Sequence, residues 1–465
     1  MKLFGTAGIR LKYPEELTPE LVFKIGNALG RLGLSSRAYI VHDTRTTSPL
    51  VSFLLAAGLM STGVDVVYGG LEPTPVAAFK AMKEKALGVS VTASHNPPEY
   101  NGLKFYDTMG YEFTRDLESR IESMVEKPEC IDWSRVGVFT GVENPGEEYY
   151  ERLLEFIGEV RARWNPVVAV DCANGASYYL TPAIVRALGG KPFTFNCNPE
   201  GFFTIRPPEP RRDILEKLMG IYSSANPVVV LAHDGDADRL AVLDPVEGFI
   251  RQDRVLAFFA KKILEEKKGH VVVSIDTGFV IDEVVEAMGG SLERYNLGKT
   301  HERVKELGVG NVVMAGEPWK LIYTSWGAWV DGIIQAAIVT KAIVETGKSF
   351  PKILMDEGIP DYPWDRRSFV LDPPIIRDKV FGDLVSELYS ALGEPIRVID
   401  IDGYRYEYGD YSWVLVRKSG TEPKIRVYAE ARSRERLGRI VDTVNTIIAK
   451  ATKRHSGRIL EMTIG

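Results

Sequence analysis

The sequence has no apolar run of the roughly 18 or more residues that a membrane-spanning helix requires. It also has no basic block, since 57 Lys and Arg residues against 63 Asp and Glu residues leave a net charge of −6. We therefore expect neither a membrane nor nucleic acid as a partner. An anionic ligand would have to be held by local arginines, lysines or a metal ion, against the overall charge.

Cysteine is scarce, with three residues in a chain of 465. Cys130, Cys172 and Cys197 are odd in number and show no CxxC spacing. This pattern predicts neither a disulfide framework nor a zinc site, and it is typical of a reducing compartment. The N-terminal stretch MKLFGTAGIR has no apolar segment of the kind found in signal peptides. We therefore expect a cytoplasmic protein.

The length exceeds what one hydrophobic core usually supports, so two to four domains are expected. One unit recurs along the chain: an apolar strand ends at an Asp, and a polar loop and a helical pattern follow. It is centred on Asp43, Asp171 and Asp276. Strands that alternate with helices in this way predict mainly parallel sheets flanked by helices, with functional loops at the strand carboxyl ends.

The predicted fold class is α/β, with three similar α/β domains of mainly parallel mixed sheets and a C-terminal α+β domain. The last part differs because a helical pattern is followed there by several strands and a final helix. Four domains would enclose a central cleft, where ligands commonly bind. The predicted boundaries are 1–145, 146–248, 249–362 and 363–465.

The stretch VTASHNPPEYNGLKFY contains the candidate nucleophile, Ser94. One interpretation is a plain strand-to-loop turn, in which Ser and Asn satisfy backbone groups and Pro97 and Pro98 stop the strand. The other is a serine held at a strand end for covalent chemistry, with His95 adjacent and Lys104 further on. A serine hydroxyl needs such a neighbouring base or cation to act as a nucleophile.

The stretch VVVLAHDGDADRLAVLD contains the candidate metal site, because Asp234, Asp236 and Asp238 alternate in one loop and Arg239 follows. Like charges this close repel one another unless a cation neutralises them. An EF-hand would need Gly at Arg239 and Glu at Pro245. Carboxylate ligands favour a hard ion such as Mg²⁺. A solvated acidic turn is the alternative.

The stretch WVLVRKSGTEPKIRVYAE is a candidate phosphate-binding hairpin. Backbone N–H groups, hydroxyls and guanidinium groups in one turn are suited to phosphate recognition. As structure alone it would be an ordinary hairpin between two strands. The candidate residues are Arg417, Ser419, Gly420, Thr421 and Arg426.

Together with GTAGIR at the start, these stretches resemble the α-D-phosphohexomutase family, which contains phosphoglucomutase, phosphomannomutase and phosphoglucosamine mutase. The resemblance covers the whole chain and implies four domains in this order. It implies that Ser94 is carried as phosphoserine and that Mg²⁺ binds its phosphate and the three Asp residues. It also places four residues around the transferred phosphate: Arg10, His95, Lys104 and Arg239.

The sugar-recognition loop departs from the family pattern Gly-Glu-x-Ser-Gly-His. Glu317 is kept, so a grip on two sugar hydroxyls is expected, but Trp319 replaces the Ser and Leu321 replaces the His. The variant GEPWK is similar to archaeal chains assigned as phosphoglucosamine mutases. Without the His, the base that accepts the sugar hydroxyl proton would be His95, or Lys104 with a pKa depressed by neighbouring cations.

The resemblance implies an intramolecular phosphotransferase that interconverts hexose 6-phosphate and hexose 1-phosphate. Phospho-Ser94 would donate to the substrate, and a hexose 1,6-bisphosphate would be both intermediate and activator. Glucosamine phosphate is the first substrate predicted, with mannose or glucose phosphate as alternatives. The same residues would also suit a metal-dependent sugar phosphatase or a non-catalytic sugar-phosphate-binding protein. In each case the partner is a small sugar phosphate.

Overall fold

The computed structural model describes residues 2–5, 8–142, 144–419 and 424–464. Each of four successive parts of the chain builds its own sheet, and the predicted fold class is confirmed: three α/β domains with mixed sheets precede an antiparallel C-terminal domain. In the described ranges, no helix is both long and apolar enough to span a membrane.

The first domain forms because short β-branched runs alternate with amphipathic helices. Its sheet has the order β1-β5-β4-β2-β3-β6, with β4, β2, β3 and β6 mutually parallel and β5 returning antiparallel beside β4. The elements are β1 (Ile9–Lys12), α1 (Pro19–Gly30), β2 (Arg37–His42), α2 (Ser48–Met60), β3 (Asp65–Leu71), α3 (Thr74–Glu84), β4 (Leu87–Val91), β5 (Tyr100–Tyr106), α4 (Arg115–Met124), a 3₁₀ turn (Trp133–Arg135) and β6 (Phe139–Val142).

The second domain repeats this design around the order β11-β10-β9-β7-β8. Strands β9, β7 and β8 are parallel, and β10 returns antiparallel beside β9. The elements are α5 (Pro145–Ile157), β7 (Val167–Asp171), α6 (Leu180–Ala187), β8 (Lys191–Phe195), α7 (Arg212–Leu215), a 3₁₀ turn (Glu216–Leu218), α8 (Met219–Tyr222), a 3₁₀ turn (Ser223–Ala225), β9 (Val229–His233), β10 (Leu240–Asp244) and β11 (Gly248–Phe249).

The third domain has the order β13-β12-β14-β15, in which β15 forms a hairpin with β14. Its helices share one large core with those of the second domain and with α3, so the first three domains are packed together. The elements are α9 (Gln252–Glu266), β12 (His270–Ser274), α10 (Val280–Ala287), β13 (Ser291–Tyr295), α11 (Thr300–Leu307), β14 (Val312–Glu317), β15 (Lys320–Tyr323), α12 (Gly332–Thr346) and α13 (Phe350–Asp356).

The fourth domain is an antiparallel sheet in the order β17-β18-β19-β20-β16-β21. Two long helices cover one face, and the other face packs on the third domain through Ile275, Trp413, Leu415 and Tyr428. The elements are β16 (Trp364–Asp372), a 3₁₀ turn (Pro374–Ile376), α14 (Arg377–Leu392), β17 (Arg397–Ile399), β18 (Tyr404–Glu407), β19 (Trp413–Lys418), β20 (Lys424–Glu430), α15 (Arg434–Arg454) and β21 (Arg458–Ile464).

The expectation that the cysteines form no disulfide is wrong. Cys172 and Cys197 are joined by a disulfide, with their Cα atoms 4.9 Å apart, while Cys130 is free and exposed. The two residues follow β7 and β8, which are parallel neighbours, so the strand-helix-strand crossover brings them together. Sequence spacing alone does not reveal this adjacency.

A buried carboxyl group lies between the first two domains. The Tyr179 hydroxyl donates to both carboxylate oxygens of Glu72, at 2.8 and 2.7 Å. Burial raises the pKa of Glu72 to about 7, although the bonds from Tyr179 and from the Gly146 N–H lower it in part. The folded state therefore favours the protonated form of this side chain.

We predict that Glu72→Gln increases stability more at pH 8 than at pH 5. In the wild type the unfolded carboxyl ionises above about pH 4.5, while the folded one resists ionisation up to about pH 7. The free energy of unfolding of the wild type therefore falls across this pH range, by at most about 3 kcal/mol. The amide of the Glu72→Gln variant does not ionise, so the variant keeps this stability. Denaturant unfolding at both pH values measures the difference. The exposed Glu151→Gln is the control, and a pH-independent effect of Glu72→Gln would contradict the prediction.

Candidate active site

Ser94 lies just beyond the end of β4, fully buried, with a φ of 51°. Its N–H donates to Thr92 Oγ1 at 2.7 Å. Its Oγ donates to Asp234 Oδ2 at 2.8 Å, which joins the first domain to the second. A left-handed backbone is unfavourable for a residue with a Cβ and persists only where the surroundings impose it. The serine is therefore fixed in place, with its hydroxyl directed at the acidic loop.

The loop that carries Ser94 returns along β5, and the strand register places Lys104 opposite Ser90. Lys104 Nζ donates to Asp236 Oδ2 at 2.7 Å and to Asp238 Oδ2 at 2.6 Å. In the sequence, Ser94 and Lys104 are therefore separated by the rest of the loop after β4 and the first part of β5. This return of the chain brings the ammonium group to the acidic loop.

The acidic loop connects the antiparallel strands β9 and β10, and Ala237 within it has a φ of 59°. One carboxylate oxygen from each of Asp234, Asp236 and Asp238 lies within 4.8 Å of the others, and all three residues are buried. Strands on both sides exclude the EF-hand alternative, and burial excludes the solvated acidic turn. The arrangement can hold a divalent cation.

His233, at the end of β9, has a structural position. Its Nδ1 lies 2.9 Å from Arg239 O and its Nε2 lies 3.0 Å from Thr181 Oγ1. Burial lowers its pKa to about 4, so the ring is neutral. Nδ1 links the two ends of the acidic loop, and Nε2 links β9 to helix α6.

The charges of the cluster depend on one another. Burial and then the neighbouring carboxylates Asp236 and Asp238 raise the pKa of Asp234 well above its usual range. Burial also acts to raise the pKa of Asp238, but the cations around it, Lys104 first, hold it below its usual range. Within one loop, therefore, the carboxyl group of Asp234 resists ionisation while that of Asp238 is held ionised.

The structure does not give Lys104 the depressed pKa that a role as general base would require. Burial acts to lower the pKa of Lys104, but the carboxylates of Asp236 and Asp238 outweigh burial and raise it above its usual value. The sequence reasoning counted the neighbouring cations and did not place the two carboxylates in contact. Lys104 is a cation that neutralises the acidic loop.

His95 and Arg10 lie on the other side of the serine. His95 Nδ1 is 3.3 Å from Ser94 Oγ and 3.3 Å from Arg10 NH1, which also reaches Asn96 Oδ1 at 3.3 Å. Burial, followed by the charges of Arg239 and Arg10, lowers the pKa of His95 well below its usual value. The imidazole is therefore neutral.

Four buried polar atoms of the cluster have no hydrogen-bond partner within the described part of the chain: Arg10 Nε, Arg239 Nε, Asp236 Oδ1 and Asp238 Oδ1. Arg239 Nε and Asp238 Oδ1 face each other as an ion pair at 3.9 Å, too far apart for a hydrogen bond. Such atoms are rare in folded proteins because each one costs free energy. Two of them are carboxylate oxygens, suited to a hard cation, and two are guanidinium N–H groups, suited to an anion. The residues therefore fit both Mg²⁺ and a phosphoryl group on Ser94.

Glu317, the predicted sugar-recognition residue, is buried at the end of β14, and one of its carboxylate oxygens already accepts hydrogen bonds within the protein. Its Oε1 accepts from Gly298 N, Thr300 N and Thr300 Oγ1, at 2.9, 3.2 and 2.8 Å. Its Oε2 lies 4.0 Å from Lys320 Nζ. Oε1 is thus already used by backbone and hydroxyl donors of the third domain, and the expected grip on two sugar hydroxyls stays a prediction.

Leu321, where the family has His, does not face the cleft. The hairpin pairs Glu317 with Lys320 and Gly316 with Leu321, and the Leu321 side chain is fully buried in the core. Trp319 at the hairpin turn has a φ of 67°, and its ring faces the guanidinium group of Arg239 at 5.9 Å. In this chain, therefore, Trp319 and Lys320 are the distinctive residues of the hairpin.

The predicted phosphate-binding residues lie on the sheet of the fourth domain. Arg417 binds Asp402 at 2.8 and 3.1 Å and keeps a buried Nε without a partner among the described residues. Ser419 is buried, and Arg426 pairs with Arg417 across β19 and β20. Gly420 and Thr421 lie outside the described residues. In the ranges that the structure describes, no hydrogen bond or ion pair links Arg417, Ser419 or Arg426 to the Ser94 cluster.

A cavity of about 780 Å³ separates the fourth domain from the second and third. Arg426, Arg366 and Lys424 line one wall, while Glu209 and Trp319 line the other. Both Glu209 and Trp319 also contact Arg239, at 3.7 and 5.9 Å. The cavity therefore leads from the domain 4 sheet to the buried cluster, and it is wide enough for a sugar phosphate.

Sequence reasoning missed several residues that support the cluster. Thr74, at the start of α3, donates its hydroxyl to Asp236 Oδ2 at 2.6 Å. Arg45 donates to the main-chain carbonyl of Ser94, and Arg206 donates to that of His233, just before the acidic loop. The repeated Asp at strand ends was the available signal, because Asp43 and Asp171 bind these two arginines.

Comparison with known proteins matches this architecture. Models of the phosphoglucomutase/phosphomannomutase family match consecutive parts of the chain: alpha/beta/alpha domain I at 1–131, domain II at 147–247, domain III at 251–359 and the C-terminal domain at 377–447. The chain therefore belongs to this family of phosphohexomutases, and the predicted resemblance is confirmed.

Individual relatives cover the chain almost completely. A phosphopentomutase of Thermococcus kodakarensis is 37% identical over 98% of this chain and 100% of its own length. A probable phosphoglucosamine mutase of Pyrococcus horikoshii is 35% identical over 97% and 99%. The crystal structure of a phosphoglucomutase/phosphomannomutase family protein of Burkholderia thailandensis has a TM-score of 0.83 at 24% identity and covers 98% of both chains, which shows the shared fold.

We predict that Asp236→Asn weakens Mg²⁺ binding by about tenfold or more, equivalent to about 1.4 kcal/mol. The substitution removes one carboxylate charge and replaces a possible ligand oxygen, while the amide keeps the size of the side chain. Isothermal titration with MgCl₂ measures the effect. The exposed Asp213→Asn on the cavity rim is the control. An unchanged Kd for Asp236→Asn would remove the acidic loop as the metal site.

Proposed function

We propose that this protein is a phosphosugar mutase that moves a phosphoryl group between two hydroxyls of one sugar phosphate. Ser94 carries the group as phosphoserine, and a sugar bisphosphate is the intermediate. The observation that supports this best is the set of buried atoms around Ser94 that accept or donate no hydrogen bond within the described ranges, two suited to a cation and two suited to an anion. A metal-dependent phosphatase with a phosphoserine intermediate would use the same kind of atoms, and the two functions differ in whether the phosphoryl group ends on the sugar or on water.

The charges of the cluster support the same reaction. Asp234, Asp236 and Asp238 carry three formal negative charges, and Arg10, Lys104 and Arg239 carry three positive ones. Adding a divalent cation and a phosphoserine of nearly two negative charges leaves the sum near zero. Asp234, Asp236 and Asp238 would hold Mg²⁺, which when bound supplies positive charge to offset the charge that develops during transfer.

In the proposed step the phosphorus–Oγ bond of Ser94 breaks as the sugar hydroxyl oxygen bonds to phosphorus. Arg10 and Arg239 hold the phosphoryl oxygens, and Lys104 offsets the carboxylates. The sugar hydroxyl loses its proton as it attacks, and the departing Ser94 Oγ takes up a proton through His95 Nδ1, which is neutral and lies 3.3 Å from it. The bisphosphate then turns end for end, and Ser94 recovers the other phosphoryl group.

The far phosphate of the substrate is proposed to dock on the fourth domain, across the cavity from Ser94. Arg417, Ser419 and Arg426 are the described residues of this site, with Gly420 and Thr421 between them in the sequence. Arg426 lines the cavity, and Arg417 Nε has no hydrogen-bond partner in the part of the chain that the structure describes. An arginine pair of this kind suits a phosphate dianion.

Glucosamine phosphate is the first proposed substrate, because the hairpin GEPWK resembles chains assigned as phosphoglucosamine mutases and several relatives carry that name. A pentose phosphate is the second. The Thermococcus kodakarensis relative is named a phosphopentomutase, and Lys320 beside Glu317 disfavours a cationic amino sugar through like-charge repulsion.

We predict that the protein with Mg²⁺ and catalytic glucose 1,6-bisphosphate equilibrates at least one sugar phosphate pair with little release of free phosphate. The panel contains the 1-phosphates of glucosamine, mannose, glucose and ribose, followed by ³¹P NMR. Phosphate release that matches substrate loss would instead indicate a phosphatase. Ligand binding with no conversion of any sugar would indicate a binding protein.

We predict that Ser94→Ala reduces turnover by about 10³-fold or more, as expected when a nucleophile is removed. The side chain loses only its Oγ, so the fold should be retained. The exposed Ser123→Ala is the matched control. Turnover of Ser94→Ala near the wild-type rate would rule out phosphoserine as the carrier.

A further inference from the structure

The Ser94 loop needs a support beyond its own sequence. Ser94 has a φ of 51°, a conformation that costs a residue with a Cβ on the order of 1 kcal/mol or more. The acidic loop has the same requirement, because Ala237 has a φ of 59°. In both loops the strained residue lies beside the groups that would carry phosphoryl transfer. Something must hold each backbone in this form.

Arg45 supports the first loop. It is 1% exposed, and its guanidinium group donates to four main-chain carbonyls. NH2 donates to Ser94 O at 3.0 Å and Asn96 O at 2.6 Å. NH1 donates to Pro97 O at 2.5 Å and Tyr100 O at 2.9 Å. These bonds span the loop from the serine to the start of β5.

Asp43, at the end of β2, fixes the orientation of this guanidinium group. Its Oδ2 accepts from Arg45 Nε at 3.0 Å and from Thr92 Oγ1 at 2.6 Å. Thr92 Oγ1 in turn accepts from Ser94 N at 2.7 Å. The main-chain N–H and C=O of Ser94 are therefore both connected to the same buried carboxylate.

Arg206 holds the residue at which the acidic loop begins, through one main-chain carbonyl. It is 2% exposed, and its Nε donates to Asp171 Oδ2 at 3.0 Å. Its NH2 donates to His233 O at 2.7 Å, one residue before Asp234. Asp171 ends β7 as Asp43 follows β2, so the two supports occupy equivalent places in two similar domains. Tyr222 also donates to Asp171 Oδ2.

We propose that Arg45 and Arg206 are separate positioning residues, Arg45 for the phosphoryl-carrying serine and Arg206 for the carboxylates that bind the metal ion. The inference rests on the proposed function, since it assigns each arginine to one half of that reaction. Neither guanidinium group reaches the cleft, and both act through the backbone of a loop.

Lysine does not replace either residue. The Arg45 fork uses three nitrogens in one plane to reach a carboxylate and four carbonyls, whereas an ammonium group is a compact charge with three donors. Arg45→Lys and Arg206→Lys therefore keep the positive charge and lose the geometry. Loss of supporting contacts of this kind typically costs about 10–100-fold in affinity or activity.

The test compares these two variants with Arg254→Lys. Arg254 is also buried, donates to Ile359 O at 3.3 Å and pairs with Asp361 at 3.5 Å. Within the described ranges it contacts neither loop. The rate of Ser94 phosphorylation by glucose 1,6-bisphosphate at saturating Mg²⁺ is followed by intact-mass spectrometry. The Mg²⁺ Kd is measured by titration calorimetry, and folding by circular dichroism.

Arg45→Lys is expected to slow phosphorylation by about tenfold or more with an unchanged Mg²⁺ Kd. Arg206→Lys is expected to raise the Mg²⁺ Kd by a similar factor, with phosphorylation largely restored at saturating Mg²⁺. Arg254→Lys should change neither. If an arginine variant does not fold, Thr92→Val replaces Arg45→Lys and Tyr222→Phe replaces Arg206→Lys, with the same expected directions.

The inference is overturned if both loop variants behave like Arg254→Lys, or if each changes phosphorylation and Mg²⁺ affinity by the same factor. A wild-type protein that takes no phosphate on Ser94 would instead contradict the proposed function. The two failures are therefore distinguishable.

Discussion

The burial of three carboxylates beside one serine is the constraint on which the rest of the structure depends. Asp234, Asp236 and Asp238 are all buried within one loop, and charges of one sign this close need cations and hydrogen bonds from elsewhere. The first domain supplies them through Lys104 and Ser94. The site therefore exists only when the first two domains are packed together.

Much of this could be predicted from sequence, because it depends on local patterns. The helix at 377–392 and the strands at 413–418 and 424–430 follow from periodicity. The contact between Ser94 and the acidic loop could be predicted from the family resemblance and from the rule that functional loops gather at strand carboxyl ends.

The features that sequence did not predict depend on partners far along the chain. Cys172 meets Cys197 because β7 and β8 are neighbours. Lys104 keeps its proton because two carboxylates of another domain contact it. Leu321 is buried because the hairpin turns at Trp319. The serine and the unusual hairpin also belong to different domains, Ser94 to the first and the hairpin to the third. This separation is compatible with relatives of the same fold that are named for different sugars.

The central claim is that the unpartnered buried atoms around Ser94 hold a metal ion and a phosphoryl group together. A crystal structure of the protein grown with MgCl₂ and glucose 1,6-bisphosphate tests it most directly. The account predicts an ion about 2.1 Å from oxygens of the acidic loop and a phosphoryl group on Ser94 Oγ within reach of Arg10 and Arg239. An ion bound elsewhere, with Ser94 Oγ still donating to Asp234, would contradict it.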